Sequence, residues 1–164
     1  MSQNTTIFNF SKDTKKNSWI VVNDDVMGGI SNSTITVNTN GYGVFRGSVS
    51  LENNGGFASV RHAVKGANLT AHSKFIIKIK GDGKKYQFRC KARSNERHSY
   101  VYDFKTNGDW QEIEIPFSEM YPRFRGNNLN MSNYAGDALS EVAFLIGNNK
   151  PENFKLEIDY INVQ

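Results

Sequence analysis

The 164-residue sequence contains a single cysteine, Cys90, and has no apolar run long enough to cross a membrane. One cysteine excludes an internal disulfide and a zinc site built from several thiolates. A transmembrane helix needs about 20 consecutive apolar residues, so no transmembrane segment is predicted. The first residues lack the basic and apolar regions of a signal peptide and the arginines of a transit peptide. These absences predict a cytoplasmic protein.

The composition nevertheless favours a packed core, because 38% of the residues are hydrophobic and 12% are aromatic. A chain of this length buries about 70% of the surface that its unfolded form exposes, so residues 1–164 are predicted to form a single domain. The net charge of +4 and the isoelectric point near 9.1 are compatible with nucleic acid, acidic lipid or acidic protein as a partner. Ordinary soluble domains have the same balance, so charge alone does not decide between these partners.

Apolar and polar residues alternate along most of the chain, which is the period of a β-strand. The pattern is clear in FIIKIK, which begins at Phe75, and in YQFRCKAR, which begins at Tyr86. A turn of Gly-Asp-Gly-Lys separates the two runs. Two alternating runs around such a turn predict a β-hairpin in which Ile79 pairs with Tyr86.

This hairpin would carry its aromatic and aliphatic side chains on one face and its cations on the other. The predicted basic face consists of Lys78, Lys80, Arg89, Lys91 and Arg93. It is either a solvated surface or a docking surface for anionic groups. Oligonucleotide sites usually interleave aromatic residues with cations for base stacking, and here the aromatic residues point away from the cations. Nucleic-acid binding is therefore not predicted.

Similar alternation occurs in YGVFRGSVSL, WQEIEIPF and FKLEIDYI, with Leu51 and Tyr160 among the residues expected to face inward. The segment VAFLIG, residues 142–147, is apolar throughout and predicts a central strand that is covered on both faces. Helix is expected only as turns near residues 118–121 and 137–141. Roughly ten antiparallel strands separated by Gly and Asn turns predict an all-β sandwich or jelly roll with minimal helix.

The stretch VVNDDVMGGIS, residues 21–31, places two adjacent acids close to a glycine pair. Neighbouring residues of an extended strand point to opposite faces, so Asp24 and Asp25 do not form a facing acid/base pair there. A phosphate-binding loop would need a helix after the glycines, and none is predicted. Asp, Asn and Gly favour turns, so the stretch is interpreted as a shaped junction between a strand and a turn.

No nucleophile motif of the G-x-S-x-G type is present, and the three histidines lie in polar settings. We expect His62 at a surface position of a strand and Cys90 as a buried, inert thiol. The sequence therefore predicts no catalytic residue, no cofactor and no metal. Because calcium needs only clustered oxygen atoms, a loop calcium site remains an open alternative. The oxygens that would form it belong to Asp24, Asp25, Glu52 and Asn53.

Several segments together resemble one protein family. They are VNDDVMGGIS (22–31), SLENNGGFASVR (50–61), GDGKKYQF (81–88), W-x-x-x-x-IPF (110–117) and FRG (124–126). These segments occur in order, and the likeness extends over about residues 7–163. They resemble the complex I intermediate-associated proteins, which are assembly factors of NADH:ubiquinone oxidoreductase, including their short bacterial relatives.

The resemblance implies a galactose-binding-like jelly-roll β-sandwich, an architecture shared with carbohydrate-binding modules. The mitochondrial members act as assembly chaperones for respiratory complex I without catalysing a reaction. The resemblance therefore implies a non-enzymatic, chaperone-like domain that binds a protein of a respiratory or redox assembly. A carbohydrate-binding module is the first alternative, and an enzyme that uses the Asp, Asn and Arg residues of these segments is the second.

The matching segments also carry polar residues that we expect to converge on one binding cluster at the loops of the sandwich. The predicted cluster consists of Asn23, Asp24, Asp25, Glu52, Asn53, Asn54, Arg61 and Arg125. Within it, the arginines Arg61 and Arg125 are expected to pair with Asp24, Asp25 or Glu52.

Overall fold

The computed structural model describes residues 4–15, 17–24 and 29–164. In these ranges the chain forms thirteen strands in two antiparallel sheets, with two 3-10 turns at Glu52–Asn54 and Phe117–Glu119. The strands are β1 (Thr5–Asn9), β2 (Ile20–Asn23), β3 (Asn32–Val37), β4 (Gly43–Val49), β5 (Ala58–Asn68), β6 (Lys74–Lys80), β7 (Lys85–Lys91), β8 (Ser99–Lys105), β9 (Trp110–Pro116), β10 (Tyr121–Phe124), β11 (Asn127–Asn128), β12 (Ala138–Ile146) and β13 (Glu152–Val163). None of the described helical turns has the length and apolarity to cross a membrane.

The two sheets pack face to face around one hydrophobic core. The six-stranded sheet has the order β3-β4-β13-β6-β9, and β1 pairs with β13 beside this path. The seven-stranded sheet has the order β11-β10-β8-β7-β12-β5-β2. Phe75 of the six-stranded sheet contacts Phe88 of the seven-stranded sheet, with ring centroids 4.9 Å apart. The predicted all-β sandwich is confirmed, and the short strands β2, β10 and β11 bring the number of strands above ten.

The central strand predicted at residues 142–147 is confirmed as part of β12, which lies between β7 and β5. Residues 142–146 are all buried, on both faces of the sheet. The helical turn expected at residues 137–141 is wrong, because Ala138 already begins this strand. The turn expected near residues 118–121 is present as the 3-10 turn Phe117–Glu119.

The predicted hairpin of β6 and β7 is wrong, because the two strands belong to different sheets. The connection between them crosses from one sheet to the other. The Asp82 carboxylate in this connection accepts hydrogen bonds from the Tyr86 hydroxyl at 2.9 Å and from the Lys155 backbone N–H at 2.9 Å, so it is bound to both sheets. The apolar faces of β6 and β7 consequently meet across the core instead of lying side by side.

The single basic face predicted for this hairpin is therefore also wrong. Lys78 and Lys80 lie on the outer face of the six-stranded sheet, whereas Arg89 and Lys91 lie on the outer face of the seven-stranded sheet. Arg93 follows the end of β7. The five cations are thus divided between opposite sides of the molecule.

Two residues expected to face inward do not. The register of β13 against β6 shifts between Ile158 and Tyr160, which is the signature of a β-bulge. The bulge turns Tyr160 to the outer face, while Ile161 takes the inward position with 0% exposure. Leu51 is 43% exposed because β4 ends before it, at Val49.

Candidate functional site

The Asp24 side chain is a fully buried carboxylate at the end of β2, with 0% exposure. Its Oδ1 accepts a hydrogen bond from the backbone N–H of Ser31 at 2.9 Å. Its Oδ2 accepts one from the Ser31 hydroxyl at 2.5 Å and others from the backbone N–H groups of Gly56 at 2.7 Å and Phe57 at 3.3 Å. The carboxylate thereby joins the chain before β3 to the chain before β5. We call this arrangement the Asp24 junction.

The hydrogen bonds of the junction favour the charged form of the carboxylate. Burial by itself would raise the pKa of Asp24, but the bonds from the Ser31 hydroxyl and from the three backbone N–H groups outweigh it. The net result is a pKa below the ordinary value of an aspartate. Asp24 is therefore an ionised structural acceptor rather than a proton donor at neutral pH.

This lowered pKa predicts a loss of stability in acid. The unfolded chain binds a proton at Asp24 more readily than the folded chain does, so the contribution of Asp24 is present above its unfolded-state pKa and disappears as the pH falls through the folded-state value. We expect the free energy of unfolding, measured by urea titration, to decline between about pH 5 and pH 2. The decline should be shallower in Asp24→Asn. Parallel pH profiles of the two proteins would contradict this assignment.

Two glycines of the matching segments lie against the Asp24 side chain. A Cβ atom at Gly29 would lie 2.4 Å from Cγ of Asp24, and a Cβ atom at Gly55 would lie 2.5 Å from its Oδ2. Both distances are shorter than any real contact of a Cβ atom, so only glycine fits beside the carboxylate. This close packing supports the interpretation of a shaped junction at Asp24 and at Gly29, whereas residues 25–28 of that stretch lie outside the described residues.

The other predicted cluster residues before β5 have separate surroundings. Asn23 is buried, and its Oδ1 accepts a hydrogen bond from the Ser33 hydroxyl at 2.7 Å. Glu52, Asn53 and Asn54 form a 3-10 turn in which Asn53 adopts the left-handed backbone conformation, with φ of 57°. Both Glu52 and Asn53 are exposed. Asp25 lies outside the described residues.

The two arginines of the predicted cluster do not join the Asp24 junction. Arg61 faces outward on β5, between its cross-strand neighbours Ile20 and Ala143. Arg125 is exposed at the turn between β10 and β11, at the opposite edge of the seven-stranded sheet, with its guanidinium 5.2 Å from the centroid of the Phe124 ring. The expected pairing of these arginines with Asp24 is wrong, because strand alternation and strand order carry them away from it.

A cleft of about 370 Å³ lies on the outer face of the seven-stranded sheet, and we call it the outer cleft. Its lining includes Gln87, Asp103, Tyr121, Arg123, Leu145 and Asn148. The Asp103 carboxylate accepts hydrogen bonds from Nε2 of Gln87 at 3.1 Å and from the Tyr121 hydroxyl at 2.5 Å. These three polar side chains come from three neighbouring strands, β7, β8 and β10, and they hold one another in place.

The Tyr121 hydroxyl is fixed as a neutral donor in this network. Its burial, together with the hydrogen bond to the Asp103 carboxylate, raises the pKa of Tyr121 to about 12. It therefore keeps its proton over the physiological range of pH.

Three half-buried arginines, Arg61, Arg89 and Arg123, share the outer face of the seven-stranded sheet, and we call them the arginine cluster. Nε and Nη2 of Arg89 donate to Oε1 of Gln87 at 2.9 and 2.7 Å. Burial, followed by the repulsion of the Arg123 and Arg61 charges, lowers the pKa of Arg89 to about 10. Arg89 remains charged at neutral pH, but its environment disfavours that charge.

The side chains considered for catalysis lie elsewhere. Cys90 is buried in the core, and burial raises the pKa of its thiol well above the ordinary value. His62, expected at the surface, faces the core side of β5 and stacks on Trp19, with ring centroids 5.2 Å apart. Its Nδ1 lies 2.6 Å from the Ser18 carbonyl oxygen. Neither residue reaches the outer cleft.

The architecture places the chain among the galactose-binding-like β-sandwiches, a class that includes carbohydrate-binding modules. The family 11 carbohydrate-binding module of a cellulosomal cellulase of Clostridium thermocellum superposes with a TM-score of 0.71 at 17% sequence identity, over 99% of this chain and 95% of that chain. A family 29 carbohydrate-binding module superposes with a TM-score of 0.60 at 8% identity, over 99% of this chain and 91% of that chain.

The chain belongs to the complex I intermediate-associated protein 30 (CIA30) family, whose profile matches residues 8–158. It is 23% identical, over an alignment 186 positions long, to the mitochondrial complex I intermediate-associated protein 30 of Mus musculus. The alignment covers 99% of this chain and 57% of the mouse protein, so the chain spans little more than half the length of that relative. The family resemblance that the sequence segments carry is thus confirmed.

Proposed function

We propose that residues 1–164 act as one β-sandwich unit, a non-enzymatic and chaperone-like domain that holds a protein of a respiratory or redox assembly on the outer face of the seven-stranded sheet. The outer cleft is the observation that carries this proposal. The name of the family, whose mouse relative is associated with complex I intermediates, supports the type of partner.

The outer face has the properties of a preformed protein-binding surface. Val101 and Ala143 form the floor of this face. They point outward from the sheet, but longer side chains cover them, so they are only 0% and 4% exposed and closely packed. Arginine and tyrosine, which are enriched at protein interfaces, surround that floor. The hydrogen bonds that fix Asp103 and Tyr121 reduce the entropy lost when a partner binds.

Binding is favoured over catalysis by the state of the polar groups in the outer cleft. Asp103 is the carboxylate of the cleft lining, and both of its oxygens already accept hydrogen bonds from neutral donors. These two bonds take up part of the acceptor capacity of the carboxylate and fix its orientation, as expected for a structural acceptor. The nucleophile considered from the sequence, Cys90, is closed within the core.

Carbohydrate binding is the second candidate, favoured by the solved structures with a similar fold. Gln87 and Asp103 offer the hydrogen-bonding groups that sugar hydroxyls need, and Tyr121 offers a ring in the same cleft. A surface aromatic pair, Tyr42 and Trp110, lies on the side of the six-stranded sheet. One half-buried ring in the cleft provides little stacking surface, so a protein partner is preferred.

The proposal predicts that blocking the outer cleft removes the partner. Lys85 is an exposed residue at the rim of the cleft, so Lys85→Trp would place an indole over it without disturbing the core. Affinity isolation of the tagged protein from its own cells should recover respiratory or redox subunits, identified by mass spectrometry. We expect Lys85→Trp to lower their recovery at least about tenfold.

The matched control is Lys155→Trp, which introduces the same ring at an exposed residue on the outer face of the six-stranded sheet. It should recover the subunits as the parent protein does. Equal losses in both variants would contradict a site in the outer cleft. A glycan-array signal that Lys85→Trp abolishes, without any recovered subunit, would replace the protein partner with a carbohydrate.

A further inference from the structure

The arginine cluster is a concentration of positive charge at the centre of the outer face. Arg61 and Arg89 are both cross-strand neighbours of Ala143, one on each side of β12. Val101 lies directly opposite Arg89 on β8, and Arg123 on β10 pairs with Ser99, two residues along the same face of β8. Small and short side chains therefore form the floor between three long cations.

These cations are held in position by neutral groups. Gln87 accepts two hydrogen bonds from Arg89 through a single amide oxygen, and Asn128 accepts one from Nη1 of Arg123 at 3.0 Å. An amide oxygen orients a guanidinium without cancelling its charge. Within the described ranges, none of the three arginines of the cluster forms a salt bridge.

Several lysines and one arginine elsewhere on the molecule do form salt bridges. Each lies beside a carboxylate, in the pairs Lys74–Glu114, Lys78–Asp159, Lys84–Asp82 and Arg93–Asp137. Exposed cations without such a neighbour are stabilised by water, but a half-buried guanidinium is only partly hydrated. The lowered pKa of Arg89 shows that the charge of this half-buried guanidinium is only partly stabilised. A bound anion would supply the missing stabilisation.

We propose that Arg61, Arg89 and Arg123 form a carboxylate-binding site that takes an acidic side chain of the protein partner. This inference rests on the proposed function and names the chemistry of the partner's contact. The planar guanidinium matches a carboxylate with two parallel hydrogen bonds, and Arg89 and Arg123 retain donors that take no acceptor among the described residues.

Acidic residues on the same face favour a partner whose carboxylates are spaced apart over a partner with continuous negative charge. Asp103 lines the outer cleft beside Arg123, and Glu141 lies opposite Lys91 on the neighbouring strand. A continuous polyanion such as a nucleic-acid backbone would be repelled where it passed these acids. An isolated Asp or Glu side chain at the arginine cluster avoids that repulsion.

The test measures binding of the full chain to a fluorescent peptide of repeated Glu-Gly-Ser, with the Gln-Gly-Ser peptide for comparison. We expect the acidic peptide to bind and the neutral one not to bind. Arg89→Gln and Arg123→Gln should each lower the affinity for the acidic peptide about tenfold. Arg89→Lys should lower this affinity as well, because lysine keeps the positive charge but lacks the planar guanidinium that donates two parallel hydrogen bonds. Circular dichroism and thermal unfolding confirm that each variant is folded.

The control is the double variant Lys78→Gln with Lys80→Gln, which removes two charges from the outer face of the six-stranded sheet. It should change the affinity by less than about twofold. An equal loss in this control, or no loss in the arginine variants, would overturn the site. Preferred binding of oligogalacturonate or of single-stranded DNA at the arginines would overturn the protein partner as the source of the anion.

Affinity isolation separates the failure of this inference from the failure of the proposed function. If Arg89→Gln and Arg123→Gln still recover the respiratory or redox subunits that the parent protein recovers, the carboxylate site is wrong and the proposed function stands. If the parent protein recovers no such subunit although the acidic peptide binds at the arginines, the proposed function is wrong and the site stands.

Discussion

Replacing Asp24 with alanine should lower the free energy of unfolding by about 3–5 kcal/mol. The substitution leaves the backbone N–H groups of Ser31, Gly56 and Phe57 without this acceptor, in a place where the parent side chain is fully buried. The Ser31 hydroxyl keeps only the Ser50 carbonyl oxygen as an acceptor, at 3.3 Å. Each buried donor without a partner destabilises the fold by about 1–3 kcal/mol, and water that enters the space left by the carboxylate recovers part of this. Urea denaturation with linear extrapolation measures the loss.

The matched control is Asp109→Ala, at an exposed aspartate in the turn before β9. A surface substitution of this kind should change stability by less than about 0.5 kcal/mol. If Asp24→Ala were as mild as this control, the Asp24 junction would not stabilise the fold and residues 21–31 would need another explanation.

Gly29→Ala should destabilise the protein by about 3 kcal/mol. Gly29 does not adopt a left-handed backbone conformation, so the expected loss comes from the clash of the new methyl group and not from backbone strain. The methyl group would lie 2.4 Å from Cγ and 2.6 Å from Oδ1 of Asp24, which forces the carboxylate away from its donors. Chemical denaturation of the single variant gives the size of this effect.

A double-mutant cycle identifies the cause. Asp24→Ala removes the two atoms that the methyl group would meet first and leaves Cβ at 2.8 Å. The double variant should therefore be more stable than the sum of the two single losses predicts, by at least about 1 kcal/mol. Strictly additive losses would show that Gly29 and Asp24 act independently.

Strand alternation predicted which side chains of β6 and β7 face inward, because burial of one face depends only on the period of the strand. It did not predict how β6 and β7 are joined. A hairpin and a crossover between sheets bury the same residues, and the Gly-Asp turn is compatible with both. The crossover is fixed by contacts of Asp82 with Tyr86 and Lys155, and Lys155 is distant in the sequence.

The matching segments pointed to the correct region for the Asp24 junction but to the wrong partners. Apart from the Ser31 hydroxyl, the donors to Asp24 are backbone N–H groups, which almost any residue supplies and no sequence pattern marks. Arginines near acids in such segments suggested ion pairs, whereas strand order places Arg61 and Arg125 on other surfaces. The outer cleft could not be predicted for the same reason, since Gln87, Asp103 and Tyr121 meet only when β7, β8 and β10 are assembled.

The position of β13 determines when the six-stranded sheet can fold during synthesis on the ribosome. This strand pairs with β4, β6 and β1, so it fills the middle of the six-stranded sheet although it follows the other strands in the chain. Until residues 152–163 leave the exit tunnel, β4 and β6 have unpaired edges that can join other chains. This sheet should therefore close only after residues 152–163 have left the exit tunnel, and until then its open edges should depend on cellular holding factors.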